Sequence, residues 1–379
     1  MFKVFILIGV LFLNQYANAV VMPDPPELNA RANITIDFDT GKILQANNHK
    51  KKLPMASVTK VMTAFVVFNE LEKQTISLKD KVQISKNAWQ KTGSSMFIEV
   101  GKDVELDDLI KGLLAQSGND AAIALAEHIS GTEKDFAKLM NKYAEHIGMK
   151  DSNFKNATGL HHKNHYSTAF DLALLGQKVI KDFPDMYKYF SIKEFQFNNI
   201  RQKNRNKLIH SEKNEYDGFK TGYTSQSKYC LMASAKHSER RVIVVVLGAS
   251  KSKYRFQEAR VMANYGLKFF ENYELKIKNS DNFLVDIPTY YTNEDVLRVT
   301  LKDNFLVTLP RGTKKNISFD ANIPDTIREP VDKGDVVGHV NIMIGDKVIK
   351  DIDVVSLHGL TQSTGLKYLA DYIILNWLK

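Results

Sequence analysis

Residues 57–68 read SVTKVMTAFVVF, with a lysine in the first turn ahead of Val61, Met62, Ala64, Phe65, Val66, Val67 and Phe68. An ammonium group is costly to bury without partners. A chain folded around this segment either lets Lys60 escape to solvent at the helix start or holds it inside for a purpose. Disulfides cannot lighten the demand on the core, because the 379 residues include one cysteine, Cys230. That length is enough for two or three domains, and 44% hydrophobic with 25% charged residues describes a folded chain. The formal net charge of +9 favours anionic partners such as a membrane surface or an acidic polymer. No long Lys/Arg block is present, which speaks against nucleic acid.

The opening MFKVFILIGVLFLNQYANA has one early lysine, an apolar run from Val4 to Leu13 and the triplet Ala17-Asn18-Ala19. This is the pattern of a secretory signal, assigned to residues 1–19, and its run is too short to span a bilayer. ARANITIDFDTGKIL then alternates like a hairpin that turns at Thr40-Gly41. Helical periodicity covers residues 57–73, 106–115, 120–129, 133–146 and 168–181. Strands are predicted at EFQFNNI, YDGFKTGYT, KYCLMASAK and RRVIVVVLGA, followed by a helix from about Phe256 to Asn272. Residues 20–275 thus read as an α+β domain, with helices between an early hairpin and a later antiparallel meander.

Past Lys276 the texture changes to short strands with turn signals between them, including a hairpin at Gly345-Asp346. Residues 276–358 are therefore expected to form a small all-β sandwich. In the final stretch, 359–379, Leu366, Leu369, Ala370, Ile373 and Trp377 share one helical face while Lys367, Asp371 and Lys379 point away. Such a helix is too short to cross a bilayer. It suits the membrane interface, with Trp377, Tyr368 and Tyr372 at headgroup level; the alternative is a helix docked on the protein's own core.

On a helix, residues three apart share a face, so the Ser57 hydroxyl and the Lys60 amine can meet. Pro54 and Ser57 mark the helix start, where backbone N–H groups point outward. Burial lowers a lysine's pKa, and a neutral amine can take the proton of a serine nucleophile. The helix start offers donors to a developing oxyanion. The S-x-x-K pattern alone is weak, since it recurs at Ser152–Lys155, Ser225–Lys228 and Ser250–Lys253. Two further motifs give it weight. Ser117-Gly118-Asn119 breaks two apolar helices 60 residues after Ser57, and Lys220-Thr221-Gly222 lies in a strand 103 residues later. Ser85-Lys86-Asn87 and Lys91-Thr92-Gly93 match the same patterns but read as surface loop, and Ser280-Asp281-Asn282 falls at the domain boundary.

The ordered set resembles the penicillin-recognising serine enzymes. PMASVTKVMTA, AQSGNDAAIALAEHISG, STAFDLALLG, RQKNRNKLIHSE, DGFKTGYT and LMASAKHSERRVIVVVLGA resemble, more narrowly, the low-molecular-mass penicillin-binding proteins that are D-alanyl-D-alanine carboxypeptidases. The resemblance covers nearly the whole chain. It implies a β-lactamase-like transpeptidase fold, helices around an antiparallel sheet, followed by the β domain and the amphipathic anchor. It implies a periplasmic enzyme, peripheral to the bacterial inner membrane, that trims peptidoglycan stem pentapeptides and is acylated by β-lactam antibiotics. Ser57 would then be the nucleophile, Lys60 its base and Ser117 a proton relay to the leaving D-alanine. Asn119 would bind the substrate amide, and Lys220 and Thr221 its carboxylate, with Arg205 near the same end and Arg255 corresponding loosely. The backbone N–H groups of Ser57 and of Tyr223, which follows Gly222, would form the oxyanion hole. Close relatives often carry histidine where Tyr223 stands, and the loop of AWQKTGSSMFIEVG is shorter than in some members.

Neither a cofactor nor a metal is implied. His161 and His162 read as loop surface, and the sequence sets no oligomeric state. A class A β-lactamase shares the three motifs but needs an E-x-x-x-N element; the match from Glu194 to Asn198 alternates like a strand. The same three motifs would also serve a DD-endopeptidase, or a non-catalytic scaffold that only binds wall peptide.

Overall fold

The computed structural model describes residues 23–212, 215–275 and 284–377. The expected signal peptide and Ser280-Asp281-Asn282 lie outside them. Five antiparallel strands form the central sheet: β1 (Ala32–Asp37), β2 (Ile43–Asn47), β3 (Tyr216–Thr224), β4 (Lys228–His237) and β5 (Arg240–Ala249), in the order β2-β1-β5-β4-β3. β5 explains why RRVIVVVLGA is continuously apolar. Its alternate side chains Ile243, Val245 and Leu247 join one core while Val242, Val244 and Val246 join the other. The first core lies under helices α1 (Lys60–Glu72), α2 (Asn119–Ser130), α3 (Glu133–His146) and α4 (Ala169–Asp182), and the second under α5 (Ser252–Phe269). Thr132 and Thr168 cap α3 and α4, each accepting a hydrogen bond from the N–H three residues on.

α1 is buried from Lys60 through Phe68, so Lys60 does not escape to solvent. The helix is entered through a 3₁₀ turn, Ala56–Thr59. The helix expected over 106–115 is α-helical only over Leu106–Lys111 and widens into a π turn, Gly112–Gln116, that ends at Ser117.

The strand β6 (Phe270–Leu275) follows α5 and pairs with β9 (Phe305–Pro310). The sequence places residues 270–275 in the catalytic domain; they pair with β9 of the second, while Phe270 packs in the catalytic core and Asn272 bonds Asp37 and Asp39. There, β7 (Val285–Pro288), β8 (Val296–Leu301), β10 (Ile317–Asn322), β11 (Val336–Ile344) and β12 (Lys347–Ser356) make an antiparallel sheet in the order β7-β8-β12-β11-β10. Its core includes Leu297, Val299, Phe305, Ile342 and Val354.

The last helix, α6 (Leu366–Trp377), sits on the β domain with its polar side inward. Asp371 is buried and accepts the Tyr291 N–H at 2.7 Å, while Lys367 reaches Asp295 and Asp371. Tyr368 packs on the Tyr291 ring. Lys367 and Asp371 do point away from the apolar face, but toward protein rather than water. Leu366, Leu369, Tyr372, Ile373 and Trp377 are left exposed. Among the described residues no helix is long and apolar enough to cross a membrane.

Candidate active site

Two glycines let the turn bearing Ser57 sit between neighbouring backbones. A Cβ on Gly159 would lie 2.0 Å from the Ala56 carbonyl oxygen, and one on Gly222 would lie 3.0 Å from the Ser57 nitrogen. No side chain fits at either place. Ala56 itself holds φ at +48°, a left-handed conformation uncommon outside glycine and typical of functional turns.

Lys60 is fully buried, with Nζ 3.2 Å from Ser57 Oγ, 2.7 Å from Asn119 Oδ1 and 2.8 Å from the Thr158 carbonyl oxygen. Burial lowers its pKa from 10.5 to about 7; the Asp120 carboxylate opposes the shift, and Arg205 adds to it. Near neutral pH much of the amine is therefore free to accept the Ser57 proton.

Ser117 sits at the π turn's end with φ at +68°, and its buried Oγ has no hydrogen-bond partner among the described residues. Asn119 opens α2. Its backbone N–H donates to the Ser94 carbonyl at 2.6 Å and its Nδ2 to the Thr92 carbonyl at 2.7 Å. Lys91-Thr92-Gly93 is thus a surface loop, with Thr92 and Gly93 exposed, whose Thr92 carbonyl also holds the Asn119 side chain. Lys91 pairs with Glu133 at 3.0 Å, and Glu133 also accepts the Ala157 N–H at 3.1 Å.

β3 brings Lys220, Thr221, Gly222 and Tyr223 past the other side of Ser57. Lys220 is buried in β3, where its backbone lies opposite Met232, and its side chain makes no hydrogen bond or ion pair among the described residues. Burial, then the charges of Lys60, Arg205 and Arg255, push its pKa well below the usual lysine value. Arg205 reaches Gln116 Oε1 at 3.4 Å, and Arg255 donates to the Gly222 carbonyl at 2.9 Å from behind the strand. Tyr223 is exposed and stacks on Tyr229 with ring centres 4.5 Å apart. The arrangement offers a serine nucleophile, a buried amine base and a cationic end with no protein carboxylate on Lys220.

Several contributors have no sequence motif. Asp120 accepts N–H bonds from Met96 and Phe97 and the hydroxyl of Ser95, which fixes the loop beside Asn119. An acidic residue in a helix's first turn is all its sequence position signals. Thr158, Glu133 and Thr92 act through space from separate loops and helices. Glu194 pairs with Arg201 at the surface, and His161 and His162 are exposed. No metal-binding cluster occurs among the described residues. A cavity of about 810 Å³ where α5 meets β9, lined by Tyr216, His237, Leu267 and Arg311, holds none of these groups.

Fold and site define a penicillin-binding protein, a serine acyl-transfer enzyme. Residues 19–251 match the family described as D-alanyl-D-alanine carboxypeptidase, and residues 270–361 match the C-terminal domain of penicillin-binding protein 5. The chain is 35% identical over 361 residues to the D-alanyl-D-alanine carboxypeptidase DacC of Escherichia coli, covering 93% of this chain and 90% of that one. Among solved structures, penicillin-binding protein 5 from Haemophilus influenzae superposes with a TM-score of 0.81 at 34% identity, covering 90% of this chain and all of that one. Penicillin-binding protein D2 from Listeria monocytogenes, in an ampicillin-bound form, covers 65% of this chain and 100% of its own at 30% identity and a TM-score of 0.60. The chain belongs to the D-alanyl-D-alanine carboxypeptidase family and is a serine-type carboxypeptidase.

Proposed function

We propose that Ser57 attacks the carbonyl of the penultimate D-alanine in a peptidoglycan stem pentapeptide while neutral Lys60 takes its proton. The observation that carries this reading is Lys60 Nζ held 3.2 Å from Ser57 Oγ in full burial. The backbone N–H groups of Ser57 and Tyr223 receive the oxyanion, where two donors aimed at the developing charge have most effect. Asn119 orients the substrate amide, and Lys220 and Thr221 hold the terminal carboxylate with Arg205 nearby. On collapse, Ser117 passes the Lys60 proton to the departing D-alanine nitrogen. Water then cleaves the acyl-serine by the same base, and a β-lactam ring enters at the first step.

We read residues 1–19 as a signal for export to the periplasm, where the chain lies peripheral to the inner membrane. The outward apolar side of α6, with Trp377 and Tyr372, supports interfacial binding. We take residues 20–275 as the catalytic domain, 276–358 as the β domain and 359–379 as the amphipathic helix.

The test is release of D-alanine from a peptide ending in D-Ala-D-Ala, together with mass mapping of a labelled penicillin. Label on Ser57, absent in Ser57→Ala, is expected; label on Ser152, Ser225 or Ser250 would refute the assignment.

A further inference from the structure

We propose that His165 is a positioning residue for acylation: it ties the loop carrying Thr158 to the turn carrying Ser57, and so fixes the carbonyl against which Lys60 rests. The proposal rests on Ser57 as nucleophile and Lys60 as its base. His165 is buried, with Nε2 2.8 Å from Thr59 Oγ1 and Nδ1 accepting the Lys155 N–H at 3.0 Å. A backbone N–H can only donate, so Nδ1 is the bare nitrogen, and the neutral ring carries its proton on Nε2 and donates to Thr59. The Phe154 ring meets the imidazole edge-on.

These bonds close a loop at its base. Lys155 begins the segment that reaches Thr158, His165 ends it, and Thr59 immediately precedes Lys60 in the chain. Within the loop, Asn156 Oδ1 accepts the Gly159 N–H at 2.7 Å and the Thr158 hydroxyl at 3.1 Å, so the tip moves with the base as one body. Thr158 supplies one of the acceptors that hold Lys60 Nζ in line with Ser57 Oγ. The imidazole is the part of this chain of contacts with a donor and an acceptor fixed on opposite sides. His162 and His161 are the titratable neighbours that act on it; burial first, then these two, lowers its pKa to about 4, so the bonding pattern persists through neutral pH. Around Lys60 itself the ionisable groups are Asp120, Glu133, Arg205 and Lys220.

Glutamine also carries a donor and an acceptor at one end, whereas leucine carries neither. In the full-length chain, His165→Leu is expected to slow acylation by a labelled penicillin roughly ten- to a hundred-fold, the scale of a displaced catalytic group. KM for a D-Ala-D-Ala pentapeptide should change little. The acid limb of the pH–rate profile should move to lower pH, because losing the Thr158 acceptor disfavours the charged Lys60 amine. His165→Gln should restore both the rate and the limb. Thr59→Val, which deletes a hydroxyl at nearly constant volume, should repeat the loss, and combining it with His165→Leu should add little. If His165→Leu does not fold, the Thr59→Val and His165→Gln pair carries the test. Wild-type rates in His165→Leu or in Thr59→Val, an unmoved acid limb, or equal losses in the Gln and Leu variants would overturn the proposal. Absence of label on wild-type Ser57 would instead overturn the catalytic reading beneath it.

Discussion

Lys60 at the start of α1 and Lys220 on β3 are both buried and close enough for the charge of one to act on the other, yet their surroundings differ in kind. The protein satisfies Lys60 with Ser57, Asn119 and Thr158, and it gives Lys220 no partner among the described residues. A partnered amine with a pKa near 7 suits proton transfer, because its position is fixed and only its proton moves. An unpartnered amine, crowded by Lys60, Arg205 and Arg255, is disfavoured as a cation until an anion arrives. The substrate's terminal carboxylate is such an anion. Residue type and burial are the same in the two places, so the proposed roles of base and binding group rest on the hydrogen-bond inventory.

The largest expected effect breaks the comparison at Lys60. Lys60→Met should lower acylation by about 10²–10⁴-fold, the usual worth of a general base. It should also destabilise the fold, since Asn119 Oδ1 and the Thr158 carbonyl lose a partner at about 1–3 kcal/mol each when buried. Lys220→Met should raise the melting temperature instead, because it removes an amine whose charged form is disfavoured by burial and by Lys60, Arg205 and Arg255. Calorimetry on the two variants checks this; shifts of the same sign would mean that the two lysines are not a contrasting pair. In the wild type, acylation should rise with pH through about 7 as the Lys60 amine loses its proton.

The smallest effect concerns the other K-T-G sequence. Lys91 pairs with Glu133, and both side chains are about one-fifth exposed. A pair of that kind contributes up to about 1 kcal/mol. Lys91→Ala should thus change kcat/KM by no more than about fivefold, through the loop that Thr92 and Glu133 hold against Asn119 and Ala157. A loss matching that of Lys220→Met would make the loop part of the binding machinery.

What the sequence could reveal follows the range of the interaction. Ser57 and Lys60 are legible because three residues on a helix are neighbours, and β5 because a strand covered on both faces is apolar throughout. EFQFNNI reads as one strand, yet it holds a hairpin that turns at Asn198 and Asn199, both with positive φ; Asn-Asn is a weaker hairpin signal than Asn-Gly. Helical periodicity sorts α6 into polar and apolar sides, but it cannot say which side the β domain covers. Thr158, Thr92 and His165 lie in loops without periodicity, and their value comes from which backbone atoms the fold brings opposite them. The motif residues are readable in the chain; the groups that hold them in place are not.

The central claim is that Lys220 is kept free for the substrate carboxylate, and it is tested by comparing a pentapeptide ending in D-Ala-D-Ala with its C-terminal amide. A charged hydrogen bond is worth about 1.5–3 kcal/mol, roughly ten- to a hundred-fold or more in kcat/KM. The wild-type enzyme should prefer the acid by that factor, and Lys220→Met should turn over the two substrates at nearly equal, low rates. An acid preference that survives intact in Lys220→Met would contradict the claim and place Lys220 in another role, such as proton relay through Ser117.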